Sequence, residues 1–290
     1  MKVCLACNQR FHQVTWICPA CGYCPPLKEG HLAFAPELAE TSAGFEAKFF
    51  TQLVELEANN FWFRARNRLI IWALQRYFPH TRNFLEIGCG TGFVLAGIKQ
   101  ALPHLTVYGS EIFTKGLEFA AQRLANTQLF QMDARHLPFE HEFEVIGAFD
   151  VLEHVKEDTT ILGEMYKATL PKGGIILTVP QHPWLWSQTD EYAHHIRRYH
   201  AKELKNKVEK AGFQVERMTS FVFILLPLMM MSRLRPKKQR ANVDVIAELK
   251  MSDITNFLLE KILDIERGFI RAGLSFPVGG SLLVVARKLA

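Results

Sequence analysis

Apolar residues first recur at three- and four-residue steps between Ser42 and Tyr77, where Phe45, Phe49, Leu53 and Leu56 are followed by Leu69, Ile70, Trp72 and Leu74. That spacing predicts helix. From Asn83 the pattern changes to short apolar runs separated by helical stretches. Strand-like runs fall at 83–87, 106–111, 129–133, 143–149 and 174–180, and two more at 214–221 and 282–287 make seven. The alternation predicts an α/β fold, a Rossmann-like parallel sheet with helices on both faces. Between the last two strands lies an insertion at about 222–275, expected to act as a lid over a substrate. In it Ile254, Phe257, Leu258, Ile265 and Phe269 share one helical face.

Three regions follow. Residues 1–26 are knuckles and turns closed by Cys24-Pro25-Pro26, residues 27–82 form a helical N-terminal cap, and residues 83–290 form the main domain. A chain of 290 residues is long enough for one large domain with a small appendage. Its formal charge of +5 permits an anionic substrate but falls short of the dense Lys/Arg stripes of most nucleic-acid binders. The start Met1-Lys2-Val3-Cys4 lacks the apolar stretch of a secretory signal, so a cytoplasmic location is expected, with reduced thiols kept for metal. The longest apolar run, Phe221 to Met231, is shorter than the roughly 20 residues a bilayer span needs.

Cys4-Leu5-Ala6-Cys7 and Cys18-Pro19-Ala20-Cys21 are two Cys-x-x-Cys knuckles, and four thiolates so spaced suit tetrahedral zinc. Cys24 is a fifth candidate. The pattern resembles zinc ribbons; a redox dithiol or an iron centre is the competing reading. A module this small would be held together by its ion.

The segment Phe84-Leu85-Glu86-Ile87-Gly88-Cys89-Gly90-Thr91-Gly92 is an apolar strand ending in a glycine-rich turn that opens a helix. Such a turn lets a ligand lie against bare backbone. Nicotinamide and flavin enzymes use one too, but with a third glycine where Phe93 stands here. Glu86, Glu111 and Asp133 would each stand at the carboxyl end of successive strands, Glu111 at the distance suited to ribose hydroxyls and Asp133 able to accept from an adenine amino group. Together these residues resemble the class I S-adenosylmethionine-dependent methyltransferases. Leu85 to Gly92 is similar to their first motif, Glu111 to their second-strand acid, Asp133-Ala134 to their adenine-binding pair, and Leu170-Pro171-Lys172-Gly173-Gly174 to their turn before strand five. The resemblance implies S-adenosylmethionine contacts at Glu86, Gly88, Cys89, Gly90, Thr91, Gly92, Glu111, Ile112, Asp133, Ala134 and Phe149. A nicotinamide-binding Rossmann enzyme is the rival.

A sulfonium methyl donor is already activated, so the protein must align the acceptor and take its proton. If a helical turn begins at Asp150, then Glu153 and His154 share its face. The spacing resembles the Glu-x-x-Glu-His motif of polyprenyl-catechol and small-RNA 2′-O-methyltransferases, with Asp150 replacing the first Glu and His195 similar to the fourth ligand of the RNA enzymes. That resemblance implies Mg2+ or Mn2+ acting as a Lewis acid. In the metal-free alternative His154 simply lies near the cofactor, and His182 or His195 is the general base. Trp62, Phe63, Trp184 and Trp186 are candidate walls of an acceptor pocket or plain core, and Arg197, Arg198 and Tyr199 are candidate acceptor contacts or partners of surface carboxylates.

The run Phe221 to Met231 flows into Arg233-Leu234-Arg235-Pro236-Lys237-Lys238-Gln239-Arg240, with its first half expected as the sixth strand. An apolar face beside basic residues can lie on an anionic membrane. The expected function is methylation, on oxygen, of a small-molecule or lipid-linked acceptor. Lys28-Glu29-Gly30 after the knuckles resembles ribosomal-RNA base methyltransferases, which makes an RNA methyltransferase with the ribbon as reader the second reading. A non-catalytic scaffold that keeps the cofactor fold is the third.

Overall fold

In the computed structural model, which describes residues 1–40, 47–234 and 251–289, the chain begins with β1 (Lys2–Val3), β2 (Arg10–Phe11), β3 (Leu27–Lys28) and β4 (His31–Ala33). Helices α1 (Ala47–Glu57) and α2 (Phe61–Tyr77) follow. Then come β5 (Asn83–Ile87), α3 (Phe93–Ala101), β6 (Thr106–Glu111), α4 (Thr114–Arg123), β7 (Gln128–Gln131), β8 (Phe143–Phe149), α5 (Asp158–Ala168) and β9 (Thr169–Pro180). The described chain closes with α6 (Gln188–Tyr192), α7 (Ala201–Lys210), β10 (Phe213–Phe221), α8 (Leu226–Leu234), α9 (Asp253–Arg271) and β11 (Ser281–Lys288).

The central sheet runs β10-β11-β9-β8-β5-β6-β7-β4-β3. Strands β4 to β9 are mutually parallel along it, while β11 is antiparallel to both β9 and β10. All seven expected strands are present, but the sheet has nine. The extra pair comes from residues 27–33, so the region read as a helical cap begins with a hairpin on the sheet edge. Leu32 and Ala33 pair with Phe130 and Gln131, and the Gln131 amide grips both backbone groups of Ala35. Three residues are too few for a period to be visible.

Apolar side chains cover both faces of the sheet, as a buried parallel sheet requires. Phe84 and Leu95 belong to one core layer, Leu85 and Leu162 to the other. The helical pattern before β5 is broken at Asn60, whose side chain caps α2 by accepting from the Trp62 amide. Phe45 lies outside the described residues, as does the basic run Arg235 to Arg240.

Three other expectations change. Leu170 to Gly174 forms a wide bulge inside β9: Phe143 pairs with Thr169 and Val145 with Gly174, so the intervening residues loop out, with Lys172 left-handed at φ 65°. The sixth strand stops at Phe221, because Val222 turns left-handed (φ 62°) and the chain enters α8. The apolar stripe of α9 points outward: Ile254 is 74% and Phe257 55% exposed, while Leu259, Glu260, Leu263, Glu266 and Ile270 face inward.

The cysteine module sits against the sheet. Trp16 packs edge-on to Phe34, Phe130 and Phe139, the Val3 amide donates to Pro138, and Arg10 pairs with Glu140.

Candidate active site

The turn after β5 is left-handed at Gly88 (φ 67°), Gly90 (φ 53°) and Gly92 (φ 75°). At Gly88 a Cβ would stand 2.5 Å from a Val151 methyl, so strain and space both demand glycine. Glu111 braces the turn, accepting from the Gly90 amide at 3.0 Å and the Ile112 amide at 2.8 Å. Burial pushes its carboxyl up, and these amides oppose the shift. The Thr91 hydroxyl donates to Glu57, which Arg123 pairs at 2.7 Å. Cys89 is buried beneath the turn, and its thiol is raised by burial.

Glu86, 2% exposed, has one carboxylate oxygen with no hydrogen-bond partner among the described residues. Burial drives its pKa well above the ordinary range, with Arg66 opposing. Asp133 lies beyond β7 and is gripped by Arg135 at 2.8 Å; those bonds outweigh burial and hold its pKa low. Ala134 and Ile112 are half-buried beside these acids. Phe149 lies in the core, stacked on Phe84.

Asp150 does not start a helical turn. It is left-handed (φ 58°), and its carboxylate pairs with Arg66, a buried side chain on α2. The Arg66 guanidinium lies 4.6 Å from the Trp62 ring, and its Nε has no partner among the described residues. Burial lowers its pKa to about 10 against the pull of Glu86, Glu57 and Glu153. Sequence reading missed this arginine. Its signal was a cation inside the apolar stretch Phe61-Trp62-Phe63-Arg64-Ala65-Arg66 that meets Asp150 only through tertiary packing.

After Asp150 a short 3-10 turn, Leu152–His154, carries Glu153 and His154, and His195 joins them from the segment after α6. Their ligand atoms lie within 4.8 Å of one another, so the three make a metal-capable group that Asp150 does not enter. Glu153 is fully buried, and both its oxygens lack hydrogen-bond partners among the described residues. Burial raises its pKa to about 8 and lowers that of His154 to about 3, the latter helped by His195. Asp190 accepts from His195 Nδ1 at 2.9 Å, leaving Nε2 toward Glu153 at 3.9 Å.

The proposed acceptor contacts divide. Arg197 pairs with Asp158 at 2.7 Å and Arg198 with Asp190 at 2.7 Å, while the Tyr199 hydroxyl donates to Asp158 at 2.7 Å. All three therefore brace the 190s segment through buried carboxylates. Trp184 and Trp186 are exposed by 55% and 39%, and Trp184 stacks on His182 at 5.2 Å. His182 is left-handed (φ 61°), and its Nε2 is buried with no partner among the described residues. Trp62 and Phe63 pack edge to face, and Phe63 reaches Phe93 at the start of α3.

In the N-terminal module the thiols of Cys4, Cys7, Cys18 and Cys21 converge, Cys4 to Cys21 at 3.7 Å and Cys7 to Cys18 at 3.6 Å. Ligands about 2.3 Å from a tetrahedral ion would be separated by nearly that much, so the cluster is compatible with zinc. The two knuckles match: the Cys4 amide donates to Gln9 and the Cys18 amide to Tyr23, and each turns through a left-handed residue, Asn8 or Gly22. Cys24 stays outside, against the Pro25 carbonyl.

An antiparallel β11 inserted beside the last parallel strand, a glycine turn after β5 and strand-end acids define a class I S-adenosylmethionine-dependent methyltransferase. The chain belongs to the family described as methyltransferase domain, whose model matches residues 57–217. A Mycolicibacterium smegmatis protein named a probable S-adenosylmethionine-dependent methyltransferase is 25% identical over 171 residues, 56% of this chain and 62% of that protein. The Thermotoga maritima demethylmenaquinone methyltransferase is 29% identical over 94 residues, 32% of this chain and 41% of its own. The chain thus spans less than two thirds of the curated relatives it matches first. Among solved structures, the Haemonchus contortus phosphoethanolamine N-methyltransferase 2 in complex with S-adenosyl-L-methionine superposes with a TM-score of 0.57 at 20% identity, covering 91% of this chain and 62% of that one. That likeness shows the fold. No helix among the described residues is long and apolar enough to cross a membrane.

Proposed function

We propose that this enzyme methylates an oxygen of a small-molecule or lipid-linked acceptor beside Glu153, His154 and His195. The observation that carries the reading is Glu153, a fully buried carboxylate whose two oxygens have no hydrogen-bond partner among the described residues, flanked by two imidazoles at ligating distance. An anion so placed calls for a cation. Mg2+ or Mn2+ held there would supply Lewis acidity, lowering the pKa of a hydroxyl and orienting it.

The remaining roles fall to the protein. The turn Gly88 to Gly92 and Glu86 receive the methionyl end of S-adenosylmethionine, with Arg66 as a further contact for its carboxylate; Glu111, Ile112, Asp133 and Ala134 receive the adenosine. Asp190 orients His195, and the acceptor proton, released as the methyl passes from sulfur to oxygen, is assigned to His182, whose Nε2 has no partner among the described residues. The N-terminal cysteines hold a structural zinc. Both cations of residues 1–26 are engaged within the protein, Lys2 on the carbonyls of Gln13 and Val14 and Arg10 on Glu140. That favours a clamp over an RNA reader, since phosphate binding needs free cations.

The test is calorimetric titration with S-adenosylmethionine and, separately, with Mn2+ on wild type and Glu153→Gln. Wild type should bind both, and the variant should keep the first and lose the second. A wild-type protein blind to Mn2+ removes the metal; one that prefers NAD to the sulfonium removes the whole reading.

A further inference from the structure

Helix α9 wears its polarity reversed. Glu260 and Glu266, 9% and 1% exposed, point inward: Glu260 pairs with Arg64 and, at 2.6 Å, with Arg68 of α2, while Glu266 accepts from the Ile224 amide at 2.8 Å. Asp264 is paired with Arg68 and Arg267. On the opposite side Ile254, Phe257, Leu258, Ile265 and Phe269 are 46% to 74% exposed. At about 1.5 Å per residue this stripe runs for roughly 20 Å. A patch of that kind on a soluble face marks a surface that something covers.

Charge names the occupant. The exposed charges of α9 are Asp253 at its first position, Lys261 within the stripe and Arg271 at its last, Lys261 lying 5.3 Å over the Phe257 ring. The Ile224 bond ties α9 to the turn leading into α8, where Leu228 and Met231 are also exposed. The sequence joining α8 to α9, residues 235–252, carries Arg235, Lys237, Lys238, Arg240 and Lys250 against Asp244 and Glu248, a net positive charge. An exposed apolar face on a helix whose own exposed charges and adjoining sequence are both net positive suits an anionic lipid surface.

We propose that the outward face of α9 docks on an anionic phospholipid bilayer. This goes beyond the methyl-transfer reading and does not depend on the acceptor. The experiment is flotation of the full chain with phosphatidylcholine vesicles, with and without phosphatidylglycerol. Wild type should float at least fivefold more with the anionic vesicles. F257E/F269E should lose that gain and K261E/R271E should reduce it, all with unchanged affinity for S-adenosylmethionine as the check on folding. The proposal is overturned if wild type stays at the bottom of the gradient, floats equally with neutral vesicles, or is matched by F257E/F269E. It is also overturned if light scattering shows a dimer that F257E/F269E dissolves while neither protein floats.

Discussion

Asp190 holds the imidazole of His195 by its Nδ1 at 2.9 Å, and this one bond decides which nitrogen His195 turns toward Glu153. The carboxylate is itself fixed by Arg198 at 2.7 Å and caps α6 through the Ser187 amide at 2.8 Å. A ligand oriented by a carboxylate that is itself oriented binds metal more tightly than a free one.

Asp190→Asn should therefore weaken Mn2+ binding by about 10- to 100-fold while leaving affinity for S-adenosylmethionine unchanged. Titration calorimetry reads both. Equal loss of the two ligands would mean that the substitution had disordered the site instead of turning one ring.

Arg66→Met tests the buried cation. It removes the partner of Asp150, and because that carboxylate keeps some solvent the stability loss should fall near the low end of about 3–5 kcal/mol. Affinity for S-adenosylmethionine should fall by about tenfold or more, as expected for a lost charged contact. A variant that is destabilised but binds normally would confine Arg66 to a structural role.

Cys18→Ser should remove zinc and open residues 1–25, because so small a module has little apolar area of its own. Elemental analysis should give one zinc per wild-type chain and far less in the variant. Trypsin should then cut at Lys2 and Arg10, while far-ultraviolet dichroism of the sheet persists.

Asp158 links acid stability to the scaffold beneath the site. Burial pushes its pKa up, but hydrogen bonds from Lys207 and Tyr199 outweigh this and hold it below the ordinary value. A depressed carboxyl contributes stability above its unfolded pKa of about 3.9 and loses it as pH falls through the lower folded value. Asp158→Asn should be less stable than wild type at pH 7, and the gap should close as the pH falls from the ordinary carboxyl value through the lower folded one. Denaturant melts at several pH values measure it; a gap that stays constant would remove the linkage.

Much of this was written locally. Seven strands, the glycine turn and two cysteine knuckles are features of a few adjacent residues each, and their chemistry, left-handed backbone or thiolate pairs, is visible without a fold. The strand-end acids were legible for the same reason. What each acid pairs with was not: Asp150 read as a metal ligand, yet Arg66 holds it outside the group of Glu153, His154 and His195.

The same limit explains α9. Its periodicity correctly gave one apolar face, but a period reports which residues share a side and not which side is inside. The inward Glu260 became acceptable because α2 presents Arg64 and Arg68 to it, and Glu266 because the Ile224 amide donates to it. Local spacing along the chain thus determined the elements, the glycine turn and the thiol cluster. Tertiary contacts alone decided the partners of each charge, the exclusion of Asp150 from the group that Glu153 and His154 form with His195, and the face α9 leaves open, because those depend on segments far apart in sequence.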